Sequence, residues 1–166
     1  MVFGFLMLGL TVSACGSNTA QVALVEPVIE QTGYEKFDLK NCEQPLDDIH
    51  TPVTEYFNVK QEVAVADQAT AASGASYTLS AAEKKAMAEQ VEAAYQKDYA
   101  AAQEALEKQE FVVPKDRAAN FSITWEAKVY QACLDFEVKG EPYQVEYTYT
   151  LAVPVVGEPE IAICGG

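Results

Sequence analysis

The chain has 166 residues and a mass of 18.1 kDa, room for one ordinary domain rather than an enzyme with a separate cofactor module. Hydrophobic residues make up 49% and charged residues 22%, enough apolar side chain to bury a real core. Eleven Lys and Arg stand against 25 Asp and Glu, and the net charge of −14 argues against nucleic acid and against electrostatic docking on anionic lipid, both of which need clustered basic residues.

Residues Met1 to Ala14 carry no charged side chain, and Val2 to Val12 form an unbroken run of apolar residues and glycine or threonine. The run is too short for a membrane-spanning helix, which needs about 20 apolar residues, and has the length of the apolar core of a secretory signal. Small residues Ser13 and Ala14 follow, then Cys15 and Gly16. Val12-Ser13-Ala14-Cys15 resembles the lipobox of bacterial lipoproteins. The resemblance covers only these first residues. It implies diacylglycerol on the Cys15 sulfur, cleavage just before Cys15, and an extracytoplasmic protein held on the cell membrane or outer membrane. Gly16, in place of Asp, resembles the context that directs lipoproteins to the outer membrane in Gram-negative cells. The expected organisation is a signal peptide over 1–14, a lipidated Cys15 and tether over 15–33, and a single folded domain over 34–166. Ser17 to Gly33 is mostly small or polar and interrupted by Pro27, with a short extended piece expected around Val22 to Val25.

From Thr51 the pattern alternates. Val53, Phe57, Val59, Val63 and Val65 share one parity, which predicts a half-buried strand. Asp67 to Tyr77 is small, polar and glycine-containing and reads as a loop. Ser80-Ala81-Ala82-Glu83 is a capping box, and Ala81 to Gln109 contains no Gly or Pro. Met87, Val91, Ala94, Tyr95, Tyr99, Ala102 and Leu106 form a thin stripe, which predicts one long amphipathic helix of about 43 Å. Phe121, Ile123, Trp125 and Val129 then share odd parity before the apolar set moves to Tyr130, Ala132, Leu134, Phe136 and Val138. That phase change predicts a β-bulge between Val129 and Cys133, or a strand that passes from one packing face to another. Lys139 to Pro142 reads as the turn of a hairpin whose second strand, Tyr143 to Val153, alternates cleanly. Pro154 to Pro159 reads as a further turn before a last strand, Glu160 to Cys164.

In an oxidising compartment Cys42, Cys133 and Cys164 are disulfide candidates, and three cysteines allow one bridge among them. In a simple meander Cys133 and Cys164 lie two strands apart, about 9.6 Å, beyond the roughly 7 Å limit for a bridge. Cys42 would then pair with one of them. A Cys133–Cys164 bridge would instead place the last strand on the other side of the sheet. No CxxC or HxxxH spacing suggests a metal, and no cofactor is expected. His50, the only histidine, follows Asp47, Asp48 and Ile49 and reads as a turn residue. No nucleophile motif accompanies it, and no set of catalytic residues emerges.

The aromatic residues are the better lead. Trp125, Tyr143, Tyr147 and Tyr149 would form either a platform for a peptide, glycan or lipid or the core under the long helix. The expected fold is α+β, an antiparallel sheet of about four strands packed against one long helix. The expected function is a lipid-anchored envelope protein that binds a ligand or partner without catalysis, or has a structural role there. A surface hydrolase or its accessory subunit is the alternative.

Overall fold

The computed structural model describes residues 22–43 and 47–165. The apolar run, Cys15 and the first part of the tether lie outside the described residues. The described chain is mostly strand. In order it comprises β1 (Val28–Asn41), β2 (Ile49–Pro52), a 3-10 turn (Val53–Glu55), β3 (Lys60–Val65), β4 (Gln68–Ala71) and β5 (Ser76–Thr78). Then come α1 (Ala81–Ala94), α2 (Gln96–Glu107), β6 (Glu110–Val113), β7 (Arg117–Val138), β8 (Glu141–Val156) and β9 (Glu160–Ile163).

Seven strands form one sheet and β2 with β6 a second, and every pairing is antiparallel. This corrects the expected four-stranded sheet under a single long helix. The backbone of the sheet is the β7–β8 hairpin, paired without interruption from Ile123↔Val156 to Val138↔Glu141. Its loop is two residues, Lys139 and Gly140, with φ of 53° and 83°. Two successive positive φ values give the turn whose twist matches the strands it joins. β1 lies on one side of β7. On the other side of the hairpin, β3 and β4 pair one after the other with β8, and β5 pairs with β4.

At this hairpin one alternative left open by the sequence is decided, in favour of a change of packing face, and one expectation changes. The phase change in β7 is not a bulge against β8, because the ladder keeps one register throughout. Ala119, Phe121, Ile123 and Ala127 are buried on odd positions, and Tyr130, Ala132 and Leu134 on even ones. Successive side chains of a strand point to opposite faces, so the hairpin carries apolar layers on opposite faces at its two ends. The register shift in the sheet lies in β1 instead, between Gln31 and Gly33. Nor does Pro154 to Pro159 make a turn. β8 runs on to Val156, the Gly157 N–H donates to the Ser122 carbonyl at 2.8 Å, and β9 continues along the same side of β7.

The layer on the odd face of β7 is aromatic. Phe111 of β6 packs on Phe37 and Phe121 with ring centroids 4.9 and 4.7 Å apart, and Val53 and Val113 are fully buried beside them. The opposite layer belongs to the helices. The capping box forms as expected: the Ser80 hydroxyl accepts from the Glu83 N–H and the Glu83 carboxylate accepts from the Ser80 N–H. The expected single helix is broken at Tyr95, whose φ and ψ of −97° and 8° depart from helical values. Its ring stacks on Tyr149, with centroids 4.4 Å apart and planes within 7°. Met87, Val91, Tyr95 and Leu106 of the expected stripe are buried, whereas Ala94 is exposed.

Candidate functional site

The four aromatic residues singled out from the sequence do not share a face. Tyr143, Tyr147 and Tyr149 are buried on β8. Tyr147 and Tyr149 stand opposite Ala132 and Tyr130 of β7, whereas Trp125 pairs with Pro154 and lies on the other side of the sheet. The tyrosine hydroxyls are taken up internally. Tyr147 donates to the Ala23 carbonyl at 2.5 Å and lies 3.2 Å from the Tyr95 hydroxyl. Tyr149 donates to the Gln61 side chain at 3.3 Å, and Tyr130 to Asp98 at 3.1 Å. Desolvation pushes the Tyr130 and Tyr149 phenols up to about 12 and Tyr147 higher still. These are features of a packed centre that keeps its phenols neutral.

Trp125 is half-buried. Its indole N–H donates to the Glu35 carboxylate at 2.6 Å, and the Lys60 ammonium sits 3.8 Å from the ring centroid. The ring is thus clamped between an anion at its edge and a cation on its face. His50 lies on β2 opposite Val112, not in a turn, and its Nδ1 is 3.1 Å from a Glu110 carboxylate oxygen. Both side chains are about half exposed, and no hydroxyl or thiol joins them among the hydrogen bonds of the described residues. Asp48 accepts from the Lys115 N–H. No group of three or more His, Cys, Asp or Glu is placed to hold a metal among the described residues.

Among the cysteine candidates, Cys42 and Cys164 are bridged, with Cα atoms 5.5 Å apart. Cys42 directly follows β1 and Cys164 directly follows β9. Both strands flank the Arg117 end of β7, and that shared neighbour brings the two sulfurs together. Cys133, the third candidate, is buried on β7 opposite Glu146 and is disulfide-bonded too.

The sequence did not single out what the fold leaves open, which is the outer edge of β1. This strand begins at Val28, inside the stretch read as tether, and its backbone pairs with β7 alone among the described strands. Phe37 and Leu39 turn inward to the aromatic layer. Tyr34, Lys36, Asp38 and Lys40 lie on the opposite parity and are exposed. The sheet surface next to this edge is uncovered as well. Tyr34, Thr124 and Val155 form one cross-strand row, with Tyr34 58% and Val155 39% exposed, and Ile29 stands 65% exposed opposite Lys128. The helices cover this face only at the other end of the hairpin, which is why apolar side chains remain at the surface here. Period-two reading of Tyr34 to Asn41 would have revealed the strand, but its charged side chains obscured the alternation.

Comparison with protein-family models, with curated proteins and with solved structures finds no match.

Proposed function

We propose that the chain is the precursor of a bacterial lipoprotein, acylated on Cys15 and held extracytoplasmically on the envelope by that lipid. In this reading its folded domain works by binding a protein, peptide or glycan rather than by catalysis. The observation that carries the proposal is the register of the Val2–Val12 run, the small residues Ser13 and Ala14, and Cys15. The Cys42–Cys164 bridge is in keeping with an oxidising compartment. Two acyl chains would supply a stable anchor, since each buried CH₂ contributes about 0.8 kcal/mol. No helix among the described residues is long and apolar enough to cross a membrane. The open β1 edge and the row of Tyr34 and Val155 beside it offer the contact surface, in the manner of strands that take an added strand.

Mass spectrometry of the protein from membranes tests the anchor. The expected result is a mature chain beginning at acylated Cys15, with Cys15→Ala released from the membrane or left unprocessed. An intact Met1, or a Cys15 sulfur held in a disulfide, would overturn it.

A further inference from the structure

The geometry points to a second copy of this chain as the occupant of the β1 edge, paired antiparallel with its own β1 across a twofold axis near Phe37. The inference deepens the binding role proposed above and draws on its membrane anchor for one of its supports.

A free edge presents a row of unpaired N–H and C=O groups, and proteins commonly block such edges with charge. β1 is charged, but its charges alternate in sign. Lys36, Asp38 and Lys40 lie on one parity, and neither lysine makes an ion pair among the described residues. In a continuous sheet, side chains directly opposite each other share a face. Self-pairing must therefore centre on a residue, and the choice of residue sets which charges meet. Centring on Lys36 or Asp38 sets that charge against its own copy, and centring on Glu35 does the same with Glu35. Centring on Phe37 sets Lys36 opposite Asp38 twice, once on each side of the axis, and Tyr34 opposite Lys40. Centring on Leu39 also opposes Asp38 to Lys40, but the strand ends at Asn41, so only residues 37–41 overlap. The Phe37 register spans 33–41, the whole of β1 beyond its register shift. It is the one register near the middle of this segment that combines full overlap with unlike charges opposite each other.

The resulting interface is isologous, the commonest symmetry of homodimers. The exposed Tyr34 and Val155 lie next to it on a face that the junction carries on into the second copy. Two copies anchored in one membrane plane would also meet at a raised effective concentration.

The test uses the full chain extracted from membranes in mild detergent, with association followed by sedimentation and by crosslinking. The wild-type protein is expected to be dimeric. Lys36→Asp places two like-charged pairs across the axis and is expected to weaken the dimer about tenfold. Asp38→Lys does the same with opposite sign, and the double variant Lys36→Asp/Asp38→Lys restores association. Lys36 is exposed, so thermal melting of Lys36→Asp is expected to stay near wild type, whereas Asp38→Lys also gives up the hydrogen bond that the Asp38 carboxylate accepts from the Asn120 side chain and is expected to melt somewhat lower. A monomeric wild-type protein, single variants that associate normally, a double variant that fails to recover, or an extended peptide of another protein found on β1 would overturn the pairing. Mass analysis of Cys15 in the same sample separates the two proposals. A dimer without acylation overturns only the anchor, and acylation without a dimer overturns only the pairing.

Discussion

Tyr147 ties the amino-terminal side of the domain to its centre through one hydrogen bond, from its hydroxyl to the Ala23 carbonyl. Next to it, Val22 bridges to Leu134. Replacing Tyr147 with Phe removes the donor from this part-buried contact and is expected to cost about 1 kcal/mol. Hydrogen exchange should show faster exchange near Val22 and Leu134 in that variant, with β6 unchanged. The buried phenols also set an alkaline limit. Tyr130, Tyr147 and Tyr149 are held neutral in the fold above the ordinary phenol value of 10. Their contribution to stability is therefore complete below pH 10. It is lost as pH rises from 10 through about 12 for Tyr130 and Tyr149, and further up for Tyr147, because the unfolded chain releases those protons first. Titration by ultraviolet absorbance is expected to show Tyr130, Tyr147 and Tyr149 ionising only above the ordinary phenol range, with unfolding accompanying that phase.

Among the elements, the passage from β8 to β9 depends on a glycine. A Cβ built on Gly157 would lie 2.2 Å from the Ser122 hydroxyl oxygen and 3.2 Å from its carbonyl oxygen, so the link passes β7 too closely for a side chain. Gly157→Ala is expected to destabilise by about 1–3 kcal/mol. Adding Ser122→Ala should recover part of that loss, because the hydroxyl contact goes and the backbone contact stays. A denaturant titration with unchanged slope would measure both. This junction also shows where sequence reading stopped. Pro154, Gly157 and Pro159 are turn residues by composition, and only the neighbouring strand shows that the chain runs straight past Ser122. The helix cap, the hairpin turn and the β8 alternation are local and were legible. β1, β4 and β6 were not, for separate reasons. β1 carries charge on its exposed parity, β4 buries only alanines, and β6 begins directly after the helical pattern ends. The phase change in β7 was visible, but choosing between a bulge and a change of packing face required the register of its partner. The aromatic residues stood out in the sequence, yet only pairing revealed that Trp125 and the tyrosines face opposite ways.

For the whole molecule, the Cys42–Cys164 bridge spans 122 residues. Closing so long a loop restricts the unfolded chain strongly, and the double variant Cys42→Ser/Cys164→Ser is expected to lose about 2–5 kcal/mol. The drop in thermal midpoint on replacing both cysteines, compared with that on reducing the wild-type protein, checks it. The bridge has a further consequence for how the molecule withstands damage. Every element from β2 to β9 lies inside the covalent ring it closes, and only β1 lies outside. One proteolytic cut anywhere within that ring opens it without separating the pieces, so both fragments stay joined to β1 and to whatever precedes it.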